Sequence, residues 1–294
     1  MELPTDQLKA LTAVVDGGSF EAASRSLSIT ASAVSQRIKA LESEVGRVLV
    51  VRSKPVRLTH SGSIVMRMAR QVELLGLETA AALQPGSQVV TTIPIVVNAD
   101  SLATWFLDAV ASVDGVTFDI TREDQAHSTA LLREGTVMAA VTSVSEPVQG
   151  CISTRVGGMT YRATASADFV RAWDCDGPAR TSLAVAPMIV FDRKDTLQEQ
   201  YLHSRGVDPR SPPRHYVPGS ADFLRAVVLG FGWGMLPDEQ AAGLVSSGDL
   251  VVLGGSPIEV PLYWQQWSFD SRALADVAVA VASGAPGRAE GSTL

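Results

Sequence analysis

The sequence predicts an α/β protein that carries a small all-α head at its N-terminus. Apolar residues recur at helical spacing through the first 45 residues, whereas short apolar runs alternate with helical stretches from about residue 90 onward. The charge changes as well: residues 1–70 carry ten Lys and Arg against six Asp and Glu, in a chain of formal net charge −7. A basic head on an acidic body indicates that the head binds a polyanion and the body does not.

Composition excludes several classes of protein. The 294 residues are 46% hydrophobic and 19% charged, which is typical of a globular chain of two or three domains. No early apolar run has the form of a signal peptide, and no stretch approaches the roughly 18 apolar residues of a membrane span. We therefore expect a cytoplasmic protein with no membrane partner. Two cysteines and four histidines without ligand spacing predict neither a disulfide framework nor a metal site.

The head is predicted to contain three helices with a tight turn between the second and the third. Consecutive glycines, Gly17-Gly18, end the first helix. Ser19 is expected to cap the second helix, and Thr30 or Ser32 the third. The inward faces of the three helices carry apolar residues at helical spacing: Leu8, Leu11, Val15, Phe20, Ala23, Leu27, Val34, Ile38, Leu41 and Val45.

The outward face of the third helix has the chemistry of a DNA-binding surface. Its polar residues are Ser32, Ser35, Gln36 and Lys39, with Arg37 beside them. Hydroxyls, amides and cations hydrogen-bond base edges and phosphates when a helix enters the major groove. A solvated helix face is also polar, so the charge asymmetry is what favours DNA.

A short β-hairpin is predicted directly after this helix. The segment VLVVRSKPVRLTHSG alternates β-forming residues with Arg52, Lys54 and Arg57 around Pro55. Cations at the tip of such a hairpin can contact the adjacent DNA backbone.

A long helix is predicted to link the head to the body over residues 61–87. Its apolar positions alternate steps of three and four, which gives a seam of about three heptads. The seam residues are Val65, Met68, Val72, Leu75, Thr79 and Ala82. The seam packs either on its own chain or against a second copy, and we favour a homodimer. The segment Gln84–Gln88, QPGSQ, is expected to break the helix and mark the domain boundary.

The body is predicted to contain largely parallel sheets. Short apolar runs such as IPIVVNA, VTFDITRED, VMAAVTS, PMIVFD, GWGMLP and PLYWQQW alternate with helical stretches. Ligands of such sheets bind at the carboxyl ends of the strands. The candidate effector-binding residues at those ends are Asp100, Ser101, Glu123, Asp124, Thr142, Asp192 and Ser220. Acidic residues suit a cationic ligand, although a single acid at a strand end can also serve as a helix cap.

Asp100 is the leading candidate for binding a cationic ligand. The segment NADS follows a strong strand and opens the amphipathic stretch LATWFLDAV.

Two sets of segments resemble a known family. SFEAASRSLSITASAVSQRIKALESEVGRVLVVRSKPVRLTHSG resembles the winged helix-turn-helix of LysR-type transcriptional regulators in spacing, turn and wing. VNADSLATW, GFGWGMLP and LYWQQW resemble the LysG/ArgP-like branch, whose members sense basic amino acids and control an exporter of lysine and arginine.

This resemblance implies a domain order and a set of partners. It implies a winged helix-turn-helix at 1–60, a dimerisation helix at 61–87 and a two-lobed, periplasmic-binding-protein-like effector domain at 88–294. Lobe I is expected at about 88–160 and 266–294, and lobe II at about 161–265. Ala31, Ser32, Ser35 and Gln36 correspond to positions that meet bases, and Arg52 to the wing. The implied partners are promoter DNA, lysine or arginine bound between the lobes, and further copies of the chain in a homodimer or homotetramer.

The implied amino acid gives the candidate effector residues separate roles. Asp100 is expected to bind the amino group, and Ser101 with the N-terminus of the following helix to offer donors to the α-carboxylate. Glu123, Asp124 or Asp192 is expected to receive the side-chain cation.

The alternative is an amino-acid-binding or catalytic α/β protein with an incidental helical head. Gly230–Met235, GFGWGM, resembles a phosphate loop, but it follows a helix and leads into a strand, the reverse of the dinucleotide-binding order. The sequence contains no nucleophile elbow, paired-histidine motif or P-loop. Asp100 with Glu123 or Asp124 could form a catalytic carboxylate pair, but nothing supplies a nucleophile or a metal. We therefore predict a ligand-responsive regulator without cofactor or enzymatic activity.

Overall fold

The computed structural model describes residues 2–83, 90–123, 125–174 and 180–287. The predicted boundary at Gln84–Gln88 and the candidate residue Asp124 lie outside these ranges. The chain forms two compact units. The first comprises Met1–Asn98, Ser112–Thr154 and Trp264–Ala280, and the second comprises Ala99–Ala111, Arg155–Tyr263 and Val281–Leu294. Head and linker helix therefore share the first unit with part of the body.

The head has the predicted order of helices followed by a hairpin. Its elements are α1 (Thr5–Asp16), α2 (Phe20–Ser26), α3 (Ala31–Val45) and the antiparallel strands β1 (Val50–Val51) and β2 (Arg57–Leu58). Ser19 Oγ accepts a hydrogen bond from the Ala22 N–H, and Thr30 Oγ1 from the Ala33 N–H, both at 3.1 Å. These caps confirm the predicted starts of α2 and α3, with Thr30 rather than Ser32 at the third helix.

The inward faces of α1, α2 and α3 meet in one core. Leu8, Leu11, Val34, Ile38 and Leu41 are all buried in it. Two hydrogen bonds join the hairpin region to the helical part of the head. The Val56 N–H donates to the Gly18 carbonyl at 2.9 Å, and the Leu49 N–H donates to Glu42 Oε1 at 2.8 Å.

In the linker helix, α4 (His60–Leu83), part of the predicted seam packs on its own chain. Val65 is buried in the core of its own head, and Val72 packs against that core. Met68 and Leu75 stay 42% exposed and Ile64 51% exposed. An α-helix has 3.6 residues per turn, so a seam of period 3.5 drifts around it, and here one edge of the seam turns towards α1. Val65 therefore does not lie on an outer apolar stripe, which consists of Ile64, Met68 and Leu75.

After α4, helices and strands alternate as predicted. The elements are β3 (Thr91–Val97), α5 (Ala99–Thr104), α6 (Phe106–Val110), β4 (Val116–Arg122), α7 (Gln125–Glu134), β5 (Ala139–Thr142), β6 (Cys151–Ser166), α8 (Ala167–Trp173), α9 (Arg180–Val185), β7 (Met188–Val190), α10 (Leu197–Ser204), β8 (Arg214–Tyr216), α11 (Ser220–Val228), β9 (Gly234–Pro237), α12 (Asp238–Ser247), β10 (Leu250–Val252), β11 (Ile258–Trp267) and α13 (Arg272–Gly284). The predicted single helix in LATWFLDAV is divided into α5 and α6 at Trp105. Within the described residues, no helix is long and apolar enough to span a membrane.

The prediction of largely parallel sheets is correct for the first unit only. There β3 is parallel to both β4 and β5, and β11 lies beside β5. In the second unit, β9 and β10 both pair antiparallel with β6, while β7 and β8 form a short parallel pair. Sequence patterning missed β6, because its Gly157-Gly158 pair and interspersed arginines are not typical of a buried strand.

Candidate functional sites

One face of α3 is seated on the head core and the opposite face is free to contact a ligand. Val34, Ile38 and Leu41 are buried on the inner side. Of the candidates on the outer side, Ser32, Gln36 and Lys39 are exposed, and Ala31 and Ser35 are half-buried. The polar groups predicted to read DNA therefore lie together on the outward side of one helix.

The hairpin brings a cation to this face. Arg52 Nη2 donates to Ser35 Oγ at 3.2 Å, and the Arg52 guanidinium lies 4.8 Å from the centre of the Phe20 ring. Lys54 is exposed on the same hairpin. Arg37 instead pairs with Asp6, with Nε and Oδ2 3.2 Å apart, so it braces α3 against α1. The result is a continuous surface of hydroxyl, amide and guanidinium groups, the chemistry used to contact bases and phosphates.

A second cluster of polar groups surrounds Asp100, in the first turn of α5. Tyr161 of β6 donates its hydroxyl to Asp100 Oδ2 at 2.7 Å, and Ser220 of α11 donates its hydroxyl to Oδ1 at 2.6 Å. Gln240 of α12 donates from Nε2 to Ser220 Oγ at 2.7 Å. Residues of β6, α11 and α12 therefore orient the carboxylate at the start of α5, and all four elements belong to the second unit.

The electrostatics of this cluster favour a positively charged ligand. Burial and the neighbouring Asp100 carboxylate raise the pKa of the Tyr161 hydroxyl far above its usual range, so Tyr161 acts as a fixed donor. Burial, followed by the charges of Asp238 and Asp100, raises the pKa of Glu239. A carboxylate has about four acceptor positions, and the two hydroxyls occupy one on each oxygen. The half-buried Asp100 carboxylate can therefore accept further hydrogen bonds from a cation.

Two other candidates of the second unit lie in surroundings that differ from those of Asp100. Ser101 is fully buried, and its hydroxyl lies 3.8 Å from the Met159 sulfur, within a helix of six residues. It is packed into the interior, and the expectation that Ser101 and the following helix N-terminus offer donors to a ligand carboxylate stays a prediction. Asp192 Oδ1 accepts from the backbone N–H groups of Lys194 and Asp195 at 2.6 and 3.0 Å, which is the geometry of a loop cap.

Glu123 and Thr142 belong to the first unit, whereas the Asp100 cluster belongs to the second. Glu123 is exposed at the end of β4. Thr142 is fully buried at the end of β5, where its hydroxyl accepts from the Val144 N–H at 3.2 Å. Thr142 thus closes its own turn. Of the predicted effector residues, the structure brings Asp100 and Ser220 into direct contact.

Sequence reasoning missed Tyr161 and Gln240. A signal for Tyr161 was present, because Met159, Tyr161 and Ala163 alternate on one face of β6 and a buried tyrosine hydroxyl needs a partner. No comparable signal marks Gln240, which meets Ser220 only after the chain has folded.

Comparison with known proteins identifies the lineage of the chain. Residues 5–63 match the family described as "Bacterial regulatory helix-turn-helix protein, lysR family". The chain is 42% identical over 283 residues to the lysine export transcriptional regulatory protein LysG of Corynebacterium glutamicum, covering 95% of this chain and 97% of that protein. It is 38% identical over 276 residues to the transcriptional regulator ArgP of Pseudomonas aeruginosa, covering 92% of each.

Solved structures support the same family assignment. The crystal structure of ArgP from Mycobacterium tuberculosis is 42% identical, with a TM-score of 0.85 over 97% of this chain and 98% of that one. Full-length LysG of Corynebacterium glutamicum with bound effector Arg is 40% identical, with a TM-score of 0.74 over 96% and 98% of the two chains. This protein therefore belongs to the LysR family of bacterial transcriptional regulators, in the branch that contains LysG and ArgP.

Proposed function

We propose that this regulator binds promoter DNA through α3 and the β1–β2 hairpin and responds to a basic amino acid, lysine or arginine. The regulated gene then encodes an exporter of that amino acid. The relatives support this proposal, since one is a lysine export transcriptional regulatory protein and the LysG structure holds Arg as its effector. A protein with this role acts in the cytoplasm and needs no catalytic group.

The observation that carries the ligand assignment is the oriented carboxylate of Asp100. Tyr161 and Ser220 donate to its two oxygens at 2.7 and 2.6 Å, so the carboxylate is aligned before a ligand arrives. Both hydroxyls are neutral donors, and they leave the negative charge uncompensated. An ammonium group is the complementary ligand, because it supplies both charge and additional hydrogen-bond donors. We assign Asp100 to the α-amino group, with Glu239 contributing to the negative potential.

The DNA assignment rests on the surface shared by α3 and the hairpin. Gln36 is exposed and can make bidentate contacts with a base edge, as an amide does with adenine. Arg52, held beside Ser35, is suited to a phosphate. The outer stripe of α4, Met68 and Leu75 with Ile64, supports pairing of two copies, which would present two heads to two half-sites.

Calorimetry with a short ligand series tests the effector. Lysine and arginine are expected to bind, whereas Nα-acetyl-lysine, which lacks the α-ammonium group, is expected to bind at least tenfold more weakly. Equal affinity for lysine and Nα-acetyl-lysine would remove Asp100 from the α-amino position. If neither lysine nor arginine binds, the effector assignment is rejected. Gel shifts with the exporter promoter and with random DNA of equal length test the DNA assignment.

A further inference from the structure

Arg67 and Arg70 attach one face of the linker helix to the body of the first unit. Arg67 Nη1 donates to the Gln149 carbonyl and Arg70 Nε to the Gly135 carbonyl, both at 3.1 Å. Gly135 has φ +78°, and a Cβ there would lie 2.8 Å from Arg67 Cγ and 3.0 Å from Arg67 N. The turn after α7 therefore rests directly on the backbone of α4, where only glycine fits.

Glu78 extends this attachment towards the end of the helix. Its Oε1 accepts from Ser271 Oγ at 2.8 Å and from the Ala273 N–H at 3.0 Å, at the start of α13. A carboxylate at a helix N-terminus satisfies free N–H groups and complements the helix dipole. Positions 67, 70 and 78 lie on one face of an α-helix over three turns, about 16 Å. This face is distinct from the outer stripe.

Arg70 also bonds the head. Its Nη2 donates to Asp16 Oδ1 at 2.5 Å, and its side chain is only 10% exposed. Asp16 is the last residue of α1. Burial raises the pKa of Asp16, and the charge and hydrogen bond of Arg70 oppose this shift by stabilising the carboxylate. One side chain of α4 thus holds the end of α1 and the turn after α7 together, using the separate donors of its planar fork.

We propose that Arg70 is a positioning residue that couples the amino-acid response of the body to the DNA-binding head. The chain of contacts runs from the Gly135 turn through Arg70 to Asp16 and α1. From α1 it continues to α3 through the shared head core and the Arg37–Asp6 ion pair. Movement of the turn after α7 relative to α4 must therefore either carry α1 with it or break one of the two bonds of Arg70. The regulatory half of this inference rests on the proposed function, because it requires an amino acid that alters DNA binding.

Arg70→Gln, Asp16→Asn and the double variant test the coupling in the full-length protein. Arg70→Gln is expected to leave lysine affinity within about twofold of wild type and to bring the ratio of DNA affinities with and without lysine towards one. Because both changes break the same bond, the double variant should lose no more of this ratio than Arg70→Gln alone. Asp16→Asn keeps the size of the side chain, and it provides the test if loss of the buried arginine prevents folding. Arg133→Gln, an exposed arginine at the end of α7, is the matched control and should respond like wild type.

Hydrogen exchange supplies a readout that needs no ligand. Arg70→Gln is expected to speed amide exchange in the last turn of α1 and in the turn after α7, while α8 in the second unit stays unchanged. Unchanged exchange in either segment overturns the inference, as does a wild-type lysine response of DNA binding in Arg70→Gln. Failure of the wild-type protein to bind any basic amino acid refutes the proposed function, and in that case the exchange measurement alone decides whether Arg70 joins head and body.

Discussion

Replacing Asp100 with asparagine removes the negative charge that is proposed to bind the ligand, while it keeps the size of the side chain. The carboxylate accepts from Tyr161 at 2.7 Å and from Ser220 at 2.6 Å, whereas an amide offers one acceptor oxygen only. Loss of one partner of a desolvated charge pair costs about 2 to 5 kcal/mol. Because Asp100 is half-buried and partly solvated, we expect the lower end, about 2 kcal/mol, which corresponds to roughly 30-fold weaker binding of lysine or arginine.

Calorimetry on wild type, Asp100→Asn and a matched control measures this loss. Asp108→Asn is the control, since Asp108 is an exposed carboxylate on α6 in the same unit. Thermal unfolding checks that the variant is folded. One hydroxyl donor loses its acceptor oxygen, so a destabilisation of about 1 kcal/mol is expected. Gel shifts should show that DNA binding without amino acid is retained. Affinity within twofold of wild type in Asp100→Asn, or an equal loss in Asp108→Asn, would refute the assignment.

Three further predictions address the DNA surface, the assembly and the pH dependence. Gln36→Ala is expected to weaken specific promoter sites by roughly 1 to 3 kcal/mol and to leave random DNA nearly unaffected, whereas Arg52→Ala should weaken both alike; equal losses on the two DNAs for Gln36→Ala in gel shifts would contradict base recognition by α3. Met68→Glu combined with Leu75→Glu places like charges on the outer stripe and should dissociate a dimer, which light scattering detects as a halved mass; an unchanged mass would show that the stripe is not the interface. Burial and neighbouring acids raise the pKa of Glu239, so as the pH falls through this raised pKa the carboxylate is protonated and its attraction for a cation is lost. Lysine affinity should therefore fall with decreasing pH less steeply in Glu239→Gln than in wild type, and identical pH profiles by calorimetry would exclude a contribution from Glu239.

The head illustrates what local sequence determines. Caps, helix ends and the inward faces of α1, α2 and α3 depend on residues within a few positions of one another, so Ser19 and Thr30 predict the helix starts directly. The polar face of α3 follows from the same periodicity. The charge asymmetry also predicts that the head binds a polyanion, because net charge is a property of the sequence rather than of the fold.

The Asp100 cluster and the linker helix show what only the tertiary structure decided. Ser220 is 120 positions from Asp100 along the chain and Tyr161 is 61, so no local pattern joins them. The heptad pattern predicts a seam on α4 but not which edge of the seam packs on its own head, and this is why Val65 is buried while Met68 is exposed. The physical reason is the same in both cases: periodicity determines which residues share a face, whereas the partner of that face is determined by long-range packing of the whole chain.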